Sequence, residues 1–268
     1  MSGKSANVLT KRHGPVLVVT INRPDVLNVI DTETATALGE AWESAADPGV
    51  RALILTGAGD RAFCAGADMD ALARGELLRS TAPGGNEWGF AGVVRHEVTV
   101  PVIAAVNGVC LGGGMELVLA ADLAVAAPRA RFGLPEGKIG VYAGGGGAFR
   151  LPAQIPSKVA MEILLTGRMV EADEAVRWGL VNAVAEDPLA GALELAGRVA
   201  ACAPLSVAAT KRIARGLDSR PDGTLIRQGE DPHWQRNEGE GPGVLGSADC
   251  AEGVAAFRAR RAPVWSGR

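Results

Sequence analysis

The sequence predicts an α/β fold with a helical C-terminal extension, and three observations carry that expectation. Two β-branched runs, Val16 to Ile21 and Ala52 to Thr56, flank a segment of helical character from Asp31 to Ala46, which is a β–α–β pattern. A third apolar run, Val102 to Val106, leads through a glycine-rich turn into a short apolar segment, Met115 to Ala121. From Ser157 onward the pattern becomes a succession of helices separated by Gly and Pro.

Each element has a local reason. Asp31 is a good N-cap, and Glu33 in the first turn suits the positive end of the helix dipole. Leu123 to Ala126 and Leu180 to Val184 are apolar and short enough to be buried strands. Ser157 to Thr166, Glu171 to Trp178, Leu189 to Cys202, Leu205 to Leu217 and Ala251 to Arg261 read as helices, bounded by Gly167, Gly179, Pro204 and Pro263. Asp218 to Asp249, rich in Gly, Pro and charge, reads as a long surface loop or a poorly ordered lid. No internal repeat is visible. The chain is therefore expected to divide into a core over residues 1–195 and a helical region over residues 196–268.

Composition narrows the function classes. With 47% apolar and 21% charged residues among 268, the chain can build a core and is not disordered as a whole. It has only 5 Phe, 5 Trp and 1 Tyr but 36 Gly, so the core must be aliphatic and the backbone closely packed. A net charge of −3 with scattered Lys and Arg lacks the footprint of a nucleic-acid binder. Cys64, Cys110, Cys202 and Cys250 form no C-x-x-C pair, so neither a zinc site nor a disulfide framework is indicated, and a cytoplasmic location is expected. The polar Met1 to Lys11 stretch has no signal-peptide character. Val98 to Ala121 is apolar, but Pro101, Asn107, three consecutive glycines and Glu116 mark it as a core segment rather than a membrane span.

Several residues bear on chemistry. Gly57-Ala58-Gly59-Asp60-Arg61-Ala62 loosely fits a dinucleotide fingerprint, but the chain continues from Phe63 to Asp68 as another turn, not as the helix that fingerprint requires. Cys64 with His96 as base would make a thiol nucleophile; with no local signature, a small buried thiol fits better. Glu116 is the only charged residue between Val98 and Ala121, and an unpaired buried carboxylate is costly. Two readings stay open for it: a proton-exchanging group of raised pKa, or a cap on the helix starting near Gly113. Gly112-Gly113-Gly114 leaves amides uncovered at a helix N-terminus, Gly66 to Asp68 offers another, and Glu136 in Phe132-Gly133-Leu134-Pro135-Glu136 is a second carboxylate. Two carboxylates and two amides suit proton transfer around a carbonyl.

These stretches together resemble the enoyl-CoA hydratase/isomerase (crotonase) family over nearly the whole chain. The likeness rests on Asn22-Arg23-Pro24 with Asn28, Phe63-Cys64-Ala65-Gly66-Ala67-Asp68, Ala105-Val106-Asn107-Gly108 through Gly112-Gly113-Gly114-Met115-Glu116-Leu117, Phe132 to Glu136, Leu180-Val181-Asn182, and Glu252-Gly253 with Ala256-Phe257. The resemblance implies a spiral of ββα units with a C-terminal helical trimerisation region, homotrimers or hexamers, and an acyl-CoA substrate, with no separate cofactor and no metal. It implies that the N–H groups of Ala67 and Gly113 form an oxyanion hole. The CoA ester would run past Val26, Leu27, Ala65, Ala67, Asp68, Met69, Asp70, Gly113 and Gly144.

The implied activity is reversible addition of water to a 2-enoyl-CoA, giving a 3-hydroxyacyl-CoA, as in fatty-acid or related acyl-CoA degradation. Glu116 would activate water at Cβ and Glu136 would protonate Cα. The alternatives are a Δ3,Δ2-enoyl-CoA isomerase working through Glu136 alone, and a non-catalytic acyl-CoA-binding homologue. This sequence departs from the family pattern in three places. Asp70 stands where a basic residue is common, Tyr142 to Gly147 replaces a P-G-x-G-G stretch, and Arg74 to His96 offers Trp88 and Phe90 as possible acyl-pocket walls.

Overall fold

Strand β1 (Val8–His13) pairs antiparallel with β2 (Val16–Ile21) at the start of the computed structural model, which describes residues 6–268. Helix α1 (Thr32–Glu43) comes next, with the Asp31 carboxylate accepting from the Thr34 N–H at 2.8 Å as its cap. Then β3 (Ala52–Gly57) opens a spiral: β4 (Ala62–Cys64) and α2 (Met69–Ala73) complete its first turn. The next turn is β5 (Val102–Val106), β6 (Val109–Leu111) and α3 (Gly113–Ala120), and the third is β7 (Leu123–Ala126), β8 (Arg131–Gly133) and α4 (Gly147–Gln154). After these come α5 (Ser157–Thr166), β9 (Val170–Glu171), α6 (Ala172–Arg177), β10 (Ala183–Val184) and α7 (Pro188–Ala200). The chain ends with α8 (Pro204–Arg215), β11 (Leu217–Ser219), β12 (Leu225–Arg227), α9 (Asp231–Leu245) and α10 (Ala248–Ala259).

Each spiral turn gives its first strand to a six-stranded sheet, ordered β1-β2-β3-β5-β7-β10, and its second to a four-stranded sheet, ordered β4-β6-β8-β9. Parallel pairing of β3, β5 and β7, and of β4, β6 and β8, stacks the turns in register. This ββα repeat is one of backbone and not of sequence. The larger sheet is covered on both faces, so its strands are continuous apolar runs rather than alternating ones. Val16, Val18, Ile54 and Ile103 face Ala192 and Ala196 of α7, while Leu17, Val19, Leu53 and Leu55 face the main core. The expected boundary at residue 195 falls inside α7.

Two asparagines of the sequence motifs act as buried pins. Asn28 accepts from the Arg23 N–H at 2.9 Å and donates to the carbonyls of Ala58 and Ala62 at 3.0 and 2.8 Å, from a left-handed backbone at φ 56°. Asn107 accepts from the Gly57 N–H and donates to the Gly59 carbonyl at 2.7 Å. Together they fix the loop between β3 and β4. Asn28→Ala is expected to lower unfolding stability by roughly 3 kcal/mol, because three buried or part-buried backbone groups lose a partner and the backbone keeps an unfavourable φ; chemical denaturation reads it directly.

The structure corrects the expectation for Asp218 to Asp249. That segment is a hairpin, β11–β12, leading into the fifteen-residue helix α9. Gly239, Gly241, Pro242 and Gly243 disguise the helix because each is a poor helix former. Packing overrides propensity here: Trp234 is buried, meets Phe149 edge-on at 4.9 Å, and lies over the Arg150 guanidinium. Helix α4, with Gly147 first and Pro152 inside, is hidden in the sequence for the same reason. The apolar stretch from Val98 to Ala121 is divided among β5, β6 and α3, and no single helix among the described residues is long and apolar enough to cross a membrane. The first five residues of the polar N-terminal stretch lie outside the described residues.

Candidate active site

Gly66 and Gly113 meet where the first and second spiral turns touch. A Cβ on Gly66, whose φ is +97°, would lie 2.9 Å from the Leu111 carbonyl and 3.2 Å from the Gly113 nitrogen, so only glycine lets these backbones close. The Ile30 N–H donates to the Gly66 carbonyl and the Asp68 N–H to the Ile30 carbonyl, both at 2.9 Å. That pairing turns the N–H of Ala67 away from Ile30. Gly113 is the first residue of α3, so its N–H is one of the helix's free donors. Neither N–H donates to another described residue. The Phe90 ring lies where a Gly113 side chain would be, 2.3 Å from an ideal Cβ. Trp88, the other expected wall, instead stacks on His96 at 4.1 Å and packs against Gly39 of α1.

Glu116 lies in the first turn of α3 and is 3% exposed, yet it does not cap that helix. Its Oε1 accepts from the N–H of Gly147, the first residue of α4, at 2.9 Å. The contact requires small neighbours: a Cβ on Gly145 would sit 2.3 Å from Oε2, and one on Gly147 3.0 Å from Oε1. Burial pushes the Glu116 carboxyl up to about 7, against the opposing pull of the Gly147 and Gly145 amides and the Arg150 charge.

Glu136 begins a short 3-10 turn, Glu136–Ile139, and its Oε1 lies 3.2 Å from where a Cβ on Gly112 would be. Its Oε2 is buried with no hydrogen-bond partner among the described residues. Burial, then the nearby Glu116 charge, push its carboxyl up to about 8. Two buried carboxyls with raised values thus act on each other, Glu136 against Gly112 and Glu116 against Gly145 and Gly147, and a pair sharing one proton near neutrality can both give and take one.

The remaining site residues form a rim. Val26 is exposed in the turn Pro24–Val26, and Leu27, at φ 59°, accepts from the Ala65 N–H at 3.0 Å. Asp68 caps α2, accepting from Asp70 and Ala71 at 3.0 and 3.1 Å, and pairs with Arg23, so its carboxylate is already engaged. Met69 and Asp70 start α2, and Asp70 meets Arg258 of α10 at 2.7 Å. A cation therefore reaches this rim from the other end of the chain. The Gly144 carbonyl accepts from the Asn237 side chain of α9 at 2.9 Å.

Other chemistries lose their footing. The Cys64 thiol is buried and pushed up to about 12 by burial, while His96 pairs with Glu43 at 2.6 Å instead of approaching it. Gly57 to Ala62 leads into β4 and not into a phosphate-binding helix. No group of three or more metal-ligating side chains gathers among the described residues. A cleft of about 920 Å³ lies between Trp42, Trp88 and His96 on one side and the β11–β12 hairpin on the other, lined in part by the paired charges Glu97, Arg150, Arg227 and Glu230.

Sequence reasoning did not single out Gly145, Gly147, Arg150, Glu230 or Asn237. Within Tyr142 to Gly147, a departure from the family pattern, Gly144 alone is expected beside the CoA ester, and that run is the one available signal.

The chain is similar to known proteins over nearly its whole length. Residues 11–268 match the family model described as enoyl-CoA hydratase/isomerase. A carnitinyl-CoA dehydratase from Salmonella typhi is 43% identical over 265 residues, covering 96% of this chain and 97% of that protein. The crystal structure of a carnitinyl-CoA hydratase from Mycobacterium avium superimposes with a TM-score of 0.94 at 48% identity, covering 99% of this chain and 100% of that one. An enoyl-CoA hydratase structure from Mycobacterium tuberculosis H37Rv matches at 0.74 and 40% identity, with 98% and 100% coverage. With its paired turns, its glycine-lined carboxyls and this breadth of similarity, the chain belongs to the enoyl-CoA hydratase/isomerase family.

Proposed function

We propose that this hydro-lyase interconverts a 3-hydroxyacyl-CoA and the corresponding 2-enoyl-CoA, using the N–H groups of Ala67 and Gly113 on the thioester oxygen and Glu116 and Glu136 as the proton-transfer pair. The observation that carries this reading is the pair of buried, interacting carboxyls, at about 7 and about 8, Glu136 against Gly112 and Glu116 against Gly145 and Gly147. In hydration, Glu116 takes a proton from water as hydroxide adds to Cβ. Charge moves to the thioester oxygen, where the two amides stabilise it, and Glu136 delivers its proton to Cα. The pair holds one proton before and after, transferred from one carboxyl to the other; dehydration runs the same steps backwards. Glu116, whose ionised form is favoured by the Gly147 and Gly145 amides and the Arg150 charge, is the group we assign to start as base.

For the acyl group we propose a carnitinyl-type chain, supported by the names of relatives at 43% and 48% identity. The surroundings suit its trimethylammonium group. Tyr142 offers an aromatic ring to a cation, and the Glu240 and Glu116 charges act on it, while Glu238 is paired with Arg95.

The test monitors the conjugated enoyl-thioester absorbance with carnitinyl-CoA, its dehydration product, crotonyl-CoA and a longer 2-enoyl-CoA. Gain or loss of absorbance with water exchanged at Cβ supports the lyase, and preference for the cationic chain supports the narrower proposal. A shifted double bond without water gained or lost would overturn it in favour of isomerisation. The pH profile of kcat/KM in the hydration direction should be bell-shaped. The rate falls below about 7 as Glu116 takes up a proton and above about 8 as Glu136 loses one.

A further inference from the structure

We infer that Arg150 and Glu230 form a buried ion pair that positions Glu116 and biases its proton equilibrium from the C-terminal segment, an inference resting on the reading of Glu116 and Glu136 as the acid–base pair. Helix α4 links the two sites. Its first amide, on Gly147, holds the Glu116 carboxyl, and Arg150 lies one turn further along the same short helix. Arg150 is 3% exposed, and a cation is buried this deeply only when it is paired. Glu230 provides the pairing, accepting from Arg150 Nε at 3.0 Å and Nη2 at 2.7 Å. This two-point fork fixes the orientation of the guanidinium and, through it, of α4.

The pair is anchored entirely by residues of the C-terminal segment and its neighbours. Glu230 also accepts from Arg227 Nη1 at 2.8 Å and from Trp234 Nε1 at 3.3 Å, and Arg227 in turn meets Glu97 at 2.5 Å. Trp234 and Phe149 lie against the guanidinium at 5.4 and 5.8 Å from their ring centres. The Trp234 ring also carries Arg95, which pairs with Glu238 at 2.8 Å. The groups that face Glu116 itself are the Gly145 and Gly147 amides, Glu136, Tyr142 and Arg150. Arg150 is the one cation among them.

The two members of the pair act on Glu116 with opposite sign. The guanidinium favours the ionised carboxyl, and Glu230, paired with that guanidinium, offsets part of its charge. A purely structural brace would lose packing when either member is removed, with the same consequence for both. An electrostatic pair gives opposite shifts, which makes the inference testable.

The experiment is the pH profile of kcat/KM for wild type, Glu116→Gln, Arg150→Met, Arg150→Lys and Glu230→Gln, with thermal unfolding alongside. Arg150→Met should move the acidic limb upward and Glu230→Gln should move it downward, each by about half a unit to one unit. Arg150→Lys, which keeps the charge but loses the fork, should leave the limb near that of wild type while lowering kcat. If Arg150→Met does not fold, the near-isosteric Glu230→Gln decides: a downward shift supports the inference and an unmoved limb overturns it. Shifts of both limbs in the same direction would also overturn it. Loss of activity in Glu116→Gln with unmoved limbs elsewhere sinks this inference alone, whereas an active Glu116→Gln sinks the acid–base reading with it.

Discussion

Glu116→Gln is expected to lower kcat for hydration by about 10²–10⁴, with Glu136→Gln falling in the same range. The substitution keeps the volume and one hydrogen-bond acceptor, so the Gly147 N–H retains a partner and the fold should persist. What disappears is the group that exchanges a proton near neutral pH. Because the two carboxyls work on one shared proton, the double variant should be little slower than the worse single one. Steady-state rates on one accepted substrate read all three variants. A double variant slower by the full product of the single losses would mean that the two glutamates act independently, contrary to the shared-proton mechanism.

Gly145→Ala should be nearly as damaging, although alanine is the smallest change possible there. The added Cβ would stand 2.3 Å from Glu116 Oε2, well inside van der Waals contact. Backbone strain is not the cause, since Gly145 does not occupy the left-handed region. The carboxyl must therefore move, and a displacement of about 1 Å at a reacting group costs on the order of 10²-fold in rate. We expect kcat to fall by about that factor with thermal stability close to wild type. Alanine at Gly197, where an added Cβ meets nothing within 4 Å, is the matched control and should leave kcat unchanged. Full activity in Gly145→Ala would show that the Glu116 carboxyl is free to relocate.

The apolar runs of β2, β3 and β5 were legible because strands covered on both faces are written as uninterrupted Val, Ile, Leu and Ala. Helix α1 was legible because Asp31 caps it by a local rule. Glu116 was legible by contrast with its surroundings, as a lone charge in an apolar stretch. Helices α4 and α9 were hidden, since their glycines and prolines argue locally against helix, and only the contacts of Trp234, Phe149 and Arg150 compensate. The short strands β4, β6 and β8, three residues each, exist as a sheet only through the stacking of successive spiral turns.

By itself the sequence determined the α/β class, the family resemblance, the two glutamates and the glycine-rich turns beside them, because each is written in neighbouring residues or in a fixed motif. The tertiary structure alone decided that Glu116 reaches the N-terminus of α4 instead of capping its own helix. It also brought Arg258 to Asp70, and Glu230 beside Arg150. Those partners lie 31, 188 and 80 positions apart in the chain. No local pattern links residues so distant; a buried carboxyl's charge depends on whatever the folded chain brings within a few ångströms of it.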